Sequence, residues 1–395
     1  MDGDNDLSDA MLEDINEITQ GSSSANINIL VQLDLPENQP ARRFSIKQGE
    51  ITNLEFLDEI DMASQDSLEN FLNWAKSKGN AEKNVLILSD HGNGWDQASG
   101  PSPKNKLQSR ALFQDTDNNK LQVFLHNHLV ADVIRNANIQ LDILGLDASI
   151  MGTIEALYEF SDLADILISS QEVGQASGWP YDKIFTELSS DTSISAETLS
   201  KIIVNQYESF FENMFYPTNQ TPEHLQYHAI AAHKSTEIMS IVDQIDVLSQ
   251  DLTTKLNSEE NIEVLELLET SRKNAQEIDQ VAQIFVYVDL QHFTHLQSPE
   301  MNFQSLIANT TIAEYHGLAR PNMNGISIVF FRPSYNQDFS LCTGETISAM
   351  GCNTYDSNYK NWDETTATGN KGKFINNTQW DEFLHTYYNV LGFEN

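Results

Sequence analysis

Two apolar runs in this chain end in residues capable of acyl-transfer chemistry. Residues 84–89 lead into Asp90-His91-Gly92, and residues 141–147 close on Asp147 and continue to Ala148-Ser149. A hydroxyl or thiol must lose its proton before it attacks a carbonyl, and an imidazole within about 3 Å can take that proton. The oxyanion then formed needs backbone donors, which Gly92 and a helix beginning at Ser149 are placed to supply. The spacing alone equally fits a quieter arrangement, in which His91 caps a strand and Ser149 N-caps a helix.

For His91 and Ser149 to meet, their strands must be neighbours in an open sheet, because ligands bind beyond the carboxyl ends of such strands. The hydropathy pattern supplies the sheet. Apolar runs at 27–34, 84–89, 141–147, 164–172 and 225–233 read as strands, and amphipathic stretches at 67–79, 121–137, 149–160 and about 195–213 read as helices. This alternation predicts an α/β fold, a three-layer α/β/α sandwich around a mostly parallel sheet. Residues 1–235 form this core in the reading. Residues 236–395 form a C-terminal helical and mixed region, with helices between about 236 and 280, a late strand at 325–333 and a last helix near the end.

At the start, Leu7, Met11, Ile15 and Ile18 fall at helical spacing. An EF-hand reading of Asp2, Asp4, Asp6 and Glu13 fails because Leu7 stands where the loop needs glycine. His126 and His128 lie two residues apart on a predicted helix, so they point about 200° apart and read as surface residues rather than a shared metal site. The stretch from Gly94 to Arg110, rich in Ser, Gly, Pro and Lys, predicts an exposed loop carrying Lys104, Lys106 and Arg110.

Composition narrows the partners. The 58 Asp and Glu against 22 Lys and Arg leave a formal net charge of -36, a field that repels nucleic acid and anionic membranes and favours cations or cationic peptides. Cys342 and Cys352 are too few for a disulfide framework and are not spaced as zinc ligands, although the two can pair in an oxidising compartment. No apolar run approaches the ~18 residues of a membrane span, and no signal peptide is visible in this chain.

The motifs "LILSDHGNGW", "LGLDASIMGTIEALYEF" and "ADILISSQEVGQASGWPY" resemble the clostripain family of cysteine endopeptidases, relatives of caspases, gingipains and legumain. The opening "DGDNDLSDAMLEDINEI", with "VDLQHF", "GISIVFF" and "WDEFL" later, is similar to the same family in the same order. The resemblance implies a caspase-like sheet, with His91 as the catalytic histidine and Ser149 where the family has its catalytic cysteine. It implies that Asp147 binds a substrate's Arg or Lys side chain, and a carboxylate there would indeed form a charge-assisted pair with guanidinium or ammonium. Gln171 and Glu172 match the family's pattern and are expected to line the cleft, with strand-end capping as the alternative. Trp179 and Tyr181 read as packing residues or as an aromatic wall near the pocket for the basic side chain.

The resemblance further implies cleavage after basic residues, calcium as a supporting ion without assignable ligands, export from the cell, and internal processing at Lys104, Lys106 or Arg110. Two departures stand against it. A cysteine thiolate is reachable near neutral pH from a free pKa of about 8.5, whereas a serine hydroxyl needs a fully arranged base and orienter. Ser149 therefore marks a deliberate Cys-to-Ser replacement that traps an inactive form, a natural pseudo-peptidase that binds basic peptides in an acidic cleft, or a serine hydrolase. The family also carries an apolar strand directly before the "DGDNDL" loop, where this chain has Met1, so an unpaired sheet edge is expected.

Overall fold

The computed structural model describes residues 1–36, 39–79, 81–92, 94–95, 112–115, 123–215, 226–259, 261–278, 287–330 and 372–391. Its strands are β1 (Ile29–Leu33), β2 (Arg42–Lys47), β3 (Glu50–Phe56), β4 (Val85–Ser89), β5 (Leu112–Asp115), β6 (Val123–Leu125), β7 (Leu141–Asp147), β8 (Ala164–Ser169), β9 (Ala229–Lys234), β10 (Tyr287–Asp289), β11 (Thr311–His316) and β12 (Ser327–Val329). The helices are α1 (Ser8–Gly21), α2 (Gln65–Ser77), α3 (Asn127–Ala137), α4 (Ile154–Phe160), α5 (Tyr181–Ser190), α6 (Ala196–Phe215), α7 (Ser235–Leu256), α8 (Asn261–Asn274), α9 (Leu290–Gln297), α10 (Phe303–Thr310), α11 (Lys373–Asn377) and α12 (Trp380–Val390).

Five strands form the central sheet in the order β11-β9-β8-β7-β4, with β4, β7 and β8 mutually parallel and β9 antiparallel between β8 and β11. β7 reads as a near-continuous apolar run because helices cover both of its faces. Leu144 and Leu146 enter one core, with α2, α3, α4, α7 and α12, while Ile143 enters the other, with α1, α5 and α6. The expected three-layer sandwich is thus realised. The first of these cores draws residues from both sides of residue 235, and β11 brings the C-terminal part of the chain into the sheet itself.

Three local expectations need correction. Residues 123–125 are the strand β6, paired antiparallel with β5, and the helix expected from 121 starts at Asn127. The helix expected from 149 starts at Ile154, where the Thr153 hydroxyl accepts the Ala156 amide, so Ser149 sits in a turn and caps nothing. The late strand is present as β12, paired antiparallel with β10 in a two-stranded ribbon. His126 and His128 are not surface residues: His128 is buried, and their rings stack with centroids 5.7 Å apart. Burial and the neighbouring imidazole push His126 down to about 4. Short apolar runs fit helix and strand periodicity equally, and a distant pairing partner decides between them.

The strands β1, β2 and β3 form a separate antiparallel sheet. Between β1 and β4 lies a groove of about 1120 Å³ lined by residues of both, including Val31, Gln32, Leu86 and Leu88. Among the described residues, Met1–Gly3 stitch its end. Asp2 donates its amide to Ser89 O, Asp34 donates to Met1 O, and the Met1 α-ammonium donates to Gln32 O. Among the described residues no strand fills the rest of the groove. None of His91, Asp147 or Ser149 lines it.

Candidate active site

The parallel pair β4·β7 brings the two chemical motifs together. Ser89 is in register with Asp147, so His91 and Ser149 each stand two residues beyond a paired position, past the carboxyl ends of adjacent strands. The segments stay in contact after the pairing ends: a Cβ added to Gly92 would lie 2.5 Å from Ser149 O and 3.0 Å from Ser149 N. Only glycine allows this approach, and it leaves the Gly92 and Ser149 backbones side by side. Ile150, directly after Ser149, has a φ of +61°, a conformation that costs a β-branched residue about 1–3 kcal/mol and is characteristic of functional turns. The Ile150 amide is anchored on Glu172 O at 3.0 Å.

Nε2 of His91 lies 2.7 Å from Asp6 Oδ1, and the Asp6 side chain is largely exposed. The sequence carried no sign of this contact, because Asp6 stands in a loop read only for metal binding. The loop after His91 is pinned from the far side, where Asn127 Nδ2 donates to Gly94 O at 2.8 Å. The Ser149 hydroxyl accepts the amide of Gly174 at 3.0 Å.

Asp147 faces the opposite side of the sheet from Leu146, toward α1 and α5. Its Oδ2 accepts the Tyr181 hydroxyl at 2.7 Å and the Trp179 amide at 3.4 Å. Burial raises its carboxyl to about 6, and these two donors oppose the shift. Tyr181 is pushed well above the ordinary phenol value by its burial and by Asp147. Beside them is a second acid, Asp14 of α1, raised to about 9 by burial first and by the charge of Asp147 second. Neither Asp14 nor the pairing of Tyr181 with Asp147 was legible in the sequence.

Gln171 and Glu172 are fully buried and committed to protein partners. Gln171 donates to Asp289 Oδ2 and accepts from the Gly325 amide. Glu172 is ion-paired with Arg320, itself buried, and Arg320 lies 4.0 Å above the Tyr227 ring. The pair holds the loop that supplies the Gly174 amide. Trp179 is buried in the core against Tyr181. Lys104, Lys106 and Arg110, with Cys342 and Cys352, lie outside the described residues. Among the described residues no group of three or more His, Cys, Asp or Glu side chains is arranged to hold a metal, and no helix is long and apolar enough to cross a membrane.

The arrangement can therefore bring a base and a nucleophile to the same sheet end and set the Gly92 and Ser149 backbones side by side there. A profile of the clostripain family of C11 peptidases matches residues 1–387. Clostripain from Hathewaya histolytica is 28% identical over 218 residues, which are 47% of this chain and 40% of that protein, so the chain spans about two fifths of the curated relative it matches. A secreted C11 cysteine protease from Bacteroides thetaiotaomicron, solved with an irreversible peptide inhibitor, superposes with a TM-score of 0.64 at 18% identity, covering 90% of this chain and 97% of that one. An inactive zymogen C11 protease from Parabacteroides distasonis gives 0.61 at 18% identity, covering 86% and 93%. At that identity the two structures speak for the fold.

Proposed function

Because the chain belongs to the clostripain family of cysteine peptidases, we propose that its site is built to cleave peptide bonds after Arg or Lys, and that serine at position 149 holds this form inactive. The observation that carries the reading is the β4·β7 register, which sets His91 and Ser149 two residues beyond Ser89 and Asp147. In the cysteine form, His91 takes the thiol proton as sulfur bonds to the scissile carbonyl carbon. The carbonyl oxygen, now an oxyanion, meets the Gly92 and residue-149 amides. Collapse breaks the C–N bond, and His91 returns the proton to the leaving amine. Water, deprotonated by the same imidazole, then hydrolyses the thioester.

A serine hydroxyl at this place lacks the acidity to follow, and the exposed Asp6 orients His91 without the burial that strengthens a triad acid. Asp147 is the acid that receives the basic side chain. The intact acidic pocket beside an unreactive hydroxyl also favours a second reading, a pseudo-peptidase that holds basic peptides without cutting them. Export from the cell and self-processing at Lys104, Lys106 or Arg110 belong to the first reading.

The test compares the chain with Ser149→Cys, each with calcium and reporter peptides ending in Arg, Lys or Asp, and follows the mass of the protein itself. Cleavage after Arg or Lys by the cysteine form alone, with a new break between residues 104 and 110, is the expected result. Silence from both forms overturns the peptidase reading, and cleavage after Asp overturns the specificity.

A further inference from the structure

Resting on the reading above that the pocket takes a basic side chain, we propose that Asp14 is its second acid, and that Asp14 and Asp147 together select a guanidinium over an ammonium group. Asp14 comes from α1 and Asp147 from the end of β7, yet both converge on one spot. A Cβ added to Gly178 would lie 3.3 Å from Asp147 Oδ2 and 3.5 and 3.6 Å from the two Asp14 oxygens. Gly178, with a φ of +57°, leaves that spot open. It also belongs to the same loop as Gly174, whose amide touches the Ser149 hydroxyl, so one loop connects the acid pair to the nucleophile position.

Asp14 is only 4% exposed, and among the described residues no hydrogen bond reaches its carboxylate. A buried carboxylate without donors is costly, and a cation with several N–H groups supplies what it lacks. Asp147 has acceptor capacity to spare, because both of its hydrogen bonds fall on Oδ2. A guanidinium is a planar fork with five donors. It can place two N–H groups on Asp147 and turn others toward Asp14, and it sheds water more readily than an ammonium. A lysine ammonium is a compact, strongly hydrated charge that satisfies one carboxylate without spanning both.

The groups that face Asp14 make this consequential. They are Asp147 on β7, Glu17 and Glu13 on its own helix, the Met1 α-ammonium and the Tyr181 phenol on α5. With burial and acidic neighbours prevailing over the one cation, Asp14 keeps its proton at neutral pH. A bound guanidinium reverses the balance, so Asp14 ionises and its proton passes to the buffer.

The experiment titrates the chain as it stands, with Ser149, against acetylated tetrapeptide amides ending in Arg or Lys. Calorimetry at pH 7.5 in buffers of different ionisation heat reads both affinity and protons released. The arginine peptide should bind about tenfold more tightly than the lysine peptide, the cost of leaving one buried acid unmatched, and release about one proton. In Asp14→Asn the proton release should vanish and the arginine advantage shrink to about twofold or less, while lysine affinity holds. Asp14→Ser provides the same contrast with a smaller side chain, and thermal melts verify that both variants fold. If Asp14→Asn keeps both the preference and the proton release, the inference is overturned while the basic-residue reading stands. If neither peptide binds the parent chain, both fall together.

Discussion

The carboxylate of Asp6 lies 2.7 Å from Nε2 of His91, 85 residues away in the chain. This contact gives the imidazole a defined partner at Nε2. Because the Asp6 side chain is 79% exposed, the contribution is modest. In the Ser149→Cys background, Asp6→Asn is expected to lower kcat about tenfold while KM changes little. Initial rates on an arginine reporter check this, and a kcat within a factor of two of the parent removes Asp6 from any positioning role.

Gly92 has no room for a side chain, since its Cβ position is met by the backbone of Ser149 rather than by a movable side-chain end. Gly92→Ala should cost about 1–3 kcal/mol of stability and more than about 100-fold of Ser149→Cys activity, because the two oxyanion amides are driven apart. Urea unfolding together with rates on the same preparation would separate the two effects. Normal activity in a stable Gly92→Ala protein argues against the amide pair.

The buried pair Glu172–Arg320 holds the loop that reaches Ser149. Breaking it with Arg320→Met leaves an uncompensated buried carboxylate and should destabilise by about 3–5 kcal/mol. Replacing both partners with apolar residues of similar size should recover most of that loss. Denaturant midpoints of the two single variants and the double variant decide the matter, and additive losses would show that the pair acts through separate contacts.

Asp14 predicts a particular pH dependence of stability. Its native pKa of about 9 lies above the ordinary carboxylate value, so the folded chain holds a proton that the unfolded chain has released. That contribution is fully present at low pH and is lost as pH rises from about 4 towards 9. Asn does not titrate. Relative to the parent, Asp14→Asn should therefore gain stability between pH 5 and pH 8, by up to about 4 kcal/mol. Parallel thermal melts at the two pH values measure the difference, and an equal offset at both would refute the raised pKa.

Much of this fold was legible in the residues themselves. The apolar runs of β4 and β7, the end of each in a chemical motif, and the alternation of strands with helices follow from burial on two faces, which acts on every residue of a parallel strand. The short stretch Val123–Leu125 and the turn from Ser149 to Thr153 did not yield to that reading, because three to five residues carry too little periodicity to choose a state.

The sequence by itself determined that His91, Asp147 and Ser149 stand at strand ends, and its motifs pointed to the family. Tertiary structure alone decided which groups surround them: Asp6 against His91, Asp14 and Tyr181 around Asp147, Gly174 on Ser149, and Arg320 beneath the loop. The physical reason lies in range. Hydrophobic periodicity and strand pairing leave a mark on neighbouring residues, whereas a hydrogen bond or a buried charge across 25 to 148 positions depends on how whole elements pack, and nothing in the local sequence records that.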